Sequence, residues 1–422
     1  MQTRLGIVLF LCSAAVIVAY NNGYAKSPLL GWQTWCAVGA CGTDHCFDGQ
    51  IRETADALVS TGMRDLGYEW VVLDDCWHPM RGSDGVLVPH ASFFPHGMRP
   101  VIDYVHSLGL KFGLYTSVGD KTCHGGWSPG SYQHYEQDAQ TFASWGVDYV
   151  KVDYCGRHDS EGGHKQLSEA MNKTGRPMVL ELCRGPYQAE ADWGYAPSIA
   201  QLWRATGDHH DSWSSLQQQM QSVRGKGSWS GPYGWAYLDM MMTGGQGCED
   251  QYDKSREEWD WTTTRHCPGM TDAEYRTEAS LYAIVASPMM VGTDIRNMTA
   301  IMKELLLNEE AIAINQDYAA PPGDVQASCA GKGAPEVWVR HLSGGDLAIA
   351  MTNVGRSSST LTVCFDSLRW PQSGSGLARV RDVWGRRDLG VFGSNFSATV
   401  GSHDTLLLRL SPVKGPMNEF VV

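Results

Sequence analysis

Positive charge is scarce in this chain. Its 422 residues carry 33 Lys and Arg against 46 Asp and Glu, a formal charge of −13. A surface that holds a polyanion needs the opposite sign, so nucleic acid is disfavoured as a partner. Charged residues of either sign make up only 19%, and hydrophobic ones 43%. A disordered chain shows the reverse balance, so a packed core is expected. The longest apolar run, Leu5–Ala19, falls short of the roughly 20 residues that a membrane helix needs, so no stable membrane span is expected. No Gly-x-Gly-x-x-Gly follows the first strand-like run, which weighs against a dinucleotide-binding open sheet. Cys36, Cys41 and Cys46 have no second Cys-x-x-Cys or His pair to answer them, so they do not resemble a zinc site. Internal repeats and low-complexity segments are absent too.

The N-terminus reads as a secretory signal peptide, taken here as residues 1–25. Arg4 precedes the apolar run, and small residues near its end put cleavage near Ala19 to Ala25. The secretory route is oxidising. Of twelve Cys, Cys12 leaves with the signal, so an odd number remains and at least one thiol stays free. Sequons at Asn172, Asn297 and Asn395 fit glycosylation in that compartment.

From Ser27 to about Asp317, short apolar runs alternate with amphipathic helical stretches. The runs are Leu29–Trp35, Glu69–Leu73, Lys111–Tyr115, Tyr149–Val152, Met178–Leu182, Gln201–Trp203, Trp235–Leu238 and Ser287–Gly292. Runs of this length and composition suit buried parallel strands. Between them, segments such as Gln50–Leu66, Glu136–Trp145, Ser214–Arg224 and Met298–Ala313 suit helices. The alternation predicts an α/β fold, a (β/α)8 TIM barrel over residues 26–317. Pro321, Pro322 and Gly323 mark a linker. After it the hydrophobic period becomes two, with strands at Glu336–His341, Asp346–Thr352, Ser358–Cys364 and Asp404–Leu410. A small C-terminal antiparallel β domain is expected over residues 325–412.

In such a barrel the reactive groups sit at the C-terminal ends of the strands. Four runs lead into acids there: Asp74 and Asp75, Asp153, Asp208, and Asp239. Several carboxylates without Cys or His partners suit glycoside hydrolysis, with one nucleophile and one proton donor. Lys151 and Asp153 are two apart and share a strand face. A buried cation beside Asp153 would keep it ionised, as a nucleophile requires. Asp208 lies beside aromatics, where desolvation would raise its pKa for acid work. Asp211 is expected to cap the helix that follows, and His209 and His210 to be ordinary loop residues.

These residues lie in longer motifs. Gly31-Trp32-Gln33-Thr34-Trp35, Leu73-Asp74-Asp75-Cys76-Trp77, the run Thr141–Asp153 and Trp203-Arg204-Ala205-Thr206-Gly207-Asp208 resemble glycoside hydrolase family 27, the α-galactosidase / α-N-acetylgalactosaminidase family. Phe94-Pro95-His96-Gly97-Met98, Thr293-Asp294-Ile295-Arg296 and Asn315-Gln316-Asp317 agree with it. The likeness runs from about Leu29 to Asp317, and the C-terminal domain resembles the family's β-sandwich in size and pattern.

The resemblance implies retaining hydrolysis of terminal α-D-galactosides, with Asp153 as nucleophile, Asp208 as general acid/base and no metal or organic cofactor. It implies that Asp74, Asp75 and Lys151 bind sugar hydroxyls, that Trp35 and Tyr115 pack on the ring, and that Arg204 contacts the 2-hydroxyl. Asp239 and Arg184 join the substrate-binding set. The resemblance also implies a disulfide between Cys123 and Cys155, and a second from Cys76 to Cys36 or Cys41.

Departures sit around the 2-position. The family's Cys-Glu-Trp becomes Cys183-Arg184-Gly185, its Gly-Trp-Asn-Asp-Pro-Asp-Met becomes Gly234–Met240 with Tyr237 for an acid, and Ser117 stands for an Asp. An α-N-acetylgalactosaminidase with an altered 2-pocket is therefore the alternative, and a catalytically inactive carbohydrate-binding protein the minor one. An acidic pH optimum is expected, in a secreted, lysosomal or vacuolar setting. A homodimer is left open.

Overall fold

The computed structural model describes residues 20–37, 47–123, 128–157, 160–183, 194–245, 252–253, 258–259, 266–329, 336–368, 370 and 376–413. Arg184, Gly185, Cys41 and residues 1–19 lie outside them.

Eight parallel strands form one sheet: β1 (Leu30–Gln33), β2 (Tyr68–Val72), β3 (Lys111–Ser117), β4 (Tyr149–Asp153), β5 (Val179–Leu182), β6 (Leu202–Arg204), β7 (Trp235–Tyr237) and β8 (Met289–Val291). They are ordered in sequence, with β8 beside β1. Just past β7, Met241 bridges in parallel to Val291 of β8, which closes the ring. Each strand sits within two residues of an expected apolar run. One helical expectation needs correcting: Met298–Ala313 is two helices, Ala300–Leu306 and Glu309–Gln316. They separate at Asn308, whose side chain accepts the N–H groups of Glu310 and Ala311 and starts the second helix.

Side chains alternate across each strand, so the barrel has two cores. Val71, Phe112, Leu114, Val150, Val152, Leu180 and Leu182 face the helices. Trp70, Val72, Tyr149, Val179, Leu202, Trp235 and Met290 form a separate interior cluster. Gly31 belongs to that crowded interior, since a Cβ there would lie 2.4 Å from the Trp70 carbonyl oxygen. The same two-residue step carries each strand's inner face from an apolar floor toward the mouth. Tyr149 leads to Lys151 and Asp153, Val179 to Glu181, and Leu202 to Arg204.

The floor is sealed by a segment that the sequence assigned to the leader. Tyr24 meets Trp70 edge-on at 5.5 Å, and Ala25 joins the interior cluster. The Ala25 carbonyl accepts Trp235 Nε1 at 2.9 Å and the Tyr233 amide at 2.7 Å. Asn22 Nδ2 donates to the Met178 carbonyl, and the Tyr20 amide to that of Pro197.

The C-terminal unit is a six-stranded antiparallel sheet, in the order Asp324–Ala327, Glu336–His341, Leu347–Thr352, Thr405–Pro412, Leu377–Asp382 and Arg387–Gly393. It faces a pair formed by Ser359–Cys364 and Asn395–Val400, with Val337, Ile349, Met351, Phe365, Val380 and Leu408 among the residues packed between. Four of these strands lacked a clear alternating pattern in the sequence. A disulfide joins Cys329 to Cys364. The Asn172, Asn297 and Asn395 side chains are exposed.

Candidate active site

The strand ends bring most of the candidate residues to one mouth. Lys151 is the hub. Its ammonium donates to Asp74 Oδ2 at 2.6 Å, and its Nζ lies 5.9 Å from the ring centres of both Trp35 and Tyr115. This differs from the expectation for that lysine, whose direct partner is Asp74 rather than Asp153. Burial alone would discharge Lys151. Asp74, with smaller contributions from Cys183, Glu181 and Asp239, more than offsets this and holds the ammonium charged well above its ordinary range. Gln33 Nε2 supports the same Asp74 oxygen at 3.3 Å, and the other oxygen accepts the Asp75 amide at 2.7 Å. Asp74 and Asp75 are both almost fully buried.

Asp153 ends β4. Its Oδ2 accepts the Tyr115 hydroxyl at 2.9 Å and its Oδ1 the Tyr154 amide at 3.1 Å. Burial pushes the carboxyl up to about 6, against the opposing pull of Lys151 and Tyr115. The Cys123–Cys155 disulfide is present and lies against it, with both sulfurs within 4.8 Å of a carboxylate oxygen. Ser117, in place of the expected acid, bonds to the Cys155 carbonyl and the Gly119 amide.

Arg204 ends β6 and is nearly buried. Its Nη2 lies 3.1 Å from Asp208 Oδ1 and 3.1 Å from Asp239 Oδ2, and its Nη1 is 3.5 Å from the free thiol of Cys183. Asp239 takes a left-handed backbone, φ 83°, and its carboxylate accepts the His209 amide of the neighbouring strand's loop at 2.8 Å. Its Oδ1 and the Nε of Arg204 are buried without partners. Buried polar atoms are rarely left so. The Asp208 side chain is 67% exposed. Burial would raise its pKa, but Arg204, Lys151 and His210 outweigh that and hold it below the usual carboxylate range. The expectation of a raised Asp208 is thus reversed, because the guanidinium pairs with it directly.

Two neighbouring roles also differ from expectation. Asp211 does not cap the helix Trp213–Val223; Ser212 does, accepting the Ser215 amide. Asp211 instead accepts the amides of Gly269 and Met270 and the Tyr275 hydroxyl. His209 is fully buried, braced between Ser215 Oγ at 2.9 Å and Glu278 Oε1 at 3.1 Å. Sequence reasoning also missed Glu181, an acid inside the barrel next to Lys151. Its signal was available: one charged residue in the middle of an apolar central strand.

A (β/α)8 barrel whose mouth gathers carboxylates, an ammonium, a guanidinium and aromatic rings among the described residues has the build of a glycoside hydrolase. Comparisons with known proteins agree. A family profile described as alpha galactosidase A matches residues 27–263 and 267–317, and one described as alpha galactosidase C-terminal beta sandwich domain matches residues 332–410. An alpha-galactosidase of Coffea arabica is 37% identical over 394 residues, 93% of this chain and 95% of that one. Alpha-galactosidase I from Mortierella vinacea has a similar structure, with a TM-score of 0.78 and 28% identity over 94% of this chain and all of that one. So does the Saccharomyces cerevisiae enzyme solved with raffinose, at a TM-score of 0.77 and 25% identity over 93% of this chain and 99% of that one. The chain belongs to the α-galactosidase family, glycoside hydrolase family 27, and is a glycoside hydrolase.

Proposed function

We propose that this enzyme removes terminal α-D-galactosyl residues from oligosaccharides or glycoconjugates with retention of anomeric configuration. The observation that carries the reading is geometric: Lys151, on the same strand as Asp153, donates to Asp74, and Cys183, whose amide bonds to Val152, lies 3.5 Å from the Arg204 that pairs with Asp208, which supports one mouth for both carboxyl groups. In the first step ionised Asp153 attacks C1, and the Asp208 carboxylic acid protonates the departing glycosidic oxygen. A galactosyl ester forms on Asp153 as the C1–O bond to the aglycone breaks. In the second step the Asp208 carboxylate takes a proton from water, the water oxygen attacks C1, and Asp153 leaves as carboxylate. The two displacements together retain configuration.

Asp74, Asp75 and Lys151 would read hydroxyls on the galactose ring, and Trp35 and Tyr115 would pack against its faces. Arg204 and Asp239, with their unpartnered atoms, would meet the 2-position. The disulfides favour an oxidising compartment, and we place the enzyme in the secretory pathway.

The test is release of nitrophenol from the α-galactoside and from the α-N-acetylgalactosaminide, with the first product anomer identified by NMR. α-Galactose should appear first. Asp153→Asn should lower kcat at least about 10³-fold, the scale on which losing a nucleophile acts. Preferred turnover of the acetylated sugar, or a β-anomer appearing first, would refute the reading.

A further inference from the structure

Among the described residues, the barrel interior holds an acid to which neither the double displacement nor the proposed sugar contacts give a role. Glu181 sits in the apolar strand β5 with none of its surface exposed. Pairing with β4 sets it directly beside Lys151. One carboxyl oxygen accepts the Tyr149 hydroxyl, from the position below Lys151; the other is buried with no partner. Lys151 commits one of its three N–H donors to Asp74. On β7 the Tyr237 hydroxyl is also buried without a partner, within reach of the Glu181 charge.

We propose that Glu181 is a positioning residue for the sugar site: ionised, it draws the Lys151 ammonium away from Asp74 and the sugar; protonated, it leaves that ammonium free to bind both. A bare buried carboxylate oxygen beside a partly committed ammonium is a strong competitor, because desolvated charges attract far more than solvated ones. The groups facing Glu181 are Tyr149 and Lys151 on β4, Arg204 on β6, Tyr237 on β7 with Asp239 just beyond it, and Cys183 at the end of its own strand. Burial pushes the carboxyl up to about 7 despite Lys151, Tyr149 and Arg204. It is therefore neutral in acid, where the sugar binds well, and gains its charge as pH rises through neutrality.

The inference rests on the galactoside reading, and its effect falls on KM rather than kcat. In the wild type, KM for nitrophenyl α-galactoside should rise about five-fold or more between about pH 5.5 and about pH 8. Glu181→Gln keeps the acceptor for Tyr149 and never ionises. Its KM should stay within about two-fold over that range, with kcat at acid pH close to wild type. Superimposable KM profiles would overturn the proposal. If the variant misfolds, calorimetry of galactose binding to the wild-type enzyme between about pH 6.5 and about pH 8.5 decides: weakening with proton uptake on binding supports it, and pH-independent binding refutes it. Galactose failing to bind at any pH would overturn the galactoside reading along with it.

Discussion

Two carboxyl groups in one mouth do not hold their protons independently. Burial lifts Asp153 to about 6, while Arg204 and Lys151 outweigh the burial of Asp208 and keep it below its ordinary value. Between those limits the pair carries a single proton, mostly on Asp153, and the reactive arrangement with the proton on Asp208 is the minority form. Below the lower limit Asp153 and Asp208 are both protonated; above the upper one neither is. The expected kcat/KM profile is a bell with its alkaline limb near 6 and its acid limb below the ordinary carboxylate range. Activity that stays flat to about pH 9 would contradict it. A second titration belongs to stability. His78 is buried against Trp77, with its Nε2 on the Pro129 carbonyl. Burial lowers its pKa from 6.5 to about 4. The unfolded chain binds that proton first, so stability falls as pH drops from 6.5 toward 4, by up to about 3 kcal/mol. Denaturant midpoints across that range should shift less in His78→Gln, and equal shifts would rule the histidine out. At this scale the sequence revealed acids at strand ends but not who pairs with whom. Lys151 pairs with Asp74 across the barrel mouth from a strand two places away, with β3 between them, a relation that spacing within one strand does not contain.

Whole strands were easier to read than side-chain partners. A strand buried on both faces must be apolar at nearly every position, so the eight barrel runs stand out by composition. The sandwich strands Leu377–Asp382 and Asn395–Val400 are buried at only some positions, and Arg387–Gly393 is largely exposed and carries two glycines, so their pattern is faint. The segment Tyr20–Ala25 was hard to read for a different reason. Its small and polar residues match a cleavage region, and only the tertiary structure gives them partners at the barrel floor. Cleavage is therefore expected at or before Tyr20, and N-terminal sequencing of the secreted enzyme checks it; a chain starting at Lys26 would refute it. A mature form lacking residues 20–25 loses the Tyr24–Trp70 contact and leaves Trp235 Nε1 without its acceptor. It should be about 3 kcal/mol less stable, read as a lower melting temperature than a form starting at Tyr20.

Over the whole molecule, barrel and sandwich share one apolar core. Trp338, Ala348, Ala350, Trp384 and Leu407 of the sandwich belong to the same cluster as Leu281, Tyr282 and Ile284 of the barrel. Arg340 locks this junction. It is fully buried, and its guanidinium donates to the carbonyls of Ala283, Ile314, Asn315, Asp317, Ala320 and Pro321. Those carbonyls lie where the helices Asp272–Ile284 and Glu309–Gln316 end and the linker begins. A cation there answers both helix dipoles and their unpaired C-terminal carbonyls. Burial pushes Arg340 down to about 10, with Asp317 opposing, so it stays charged at any pH where the enzyme works. Nothing in the local sequence marks it, since Arg340 occupies an ordinary strand position in Glu336–His341. Replacing it with Met keeps the bulk but strands carbonyls in a dry interface, at a cost of about 3 kcal/mol or more. Because that loss falls at the junction, it should uncouple the two units. Calorimetry of the wild type should show one transition, and Arg340→Met should show two, with the sandwich melting first. A variant that melts once, at the wild-type temperature, would show that the apolar contacts alone hold the halves together.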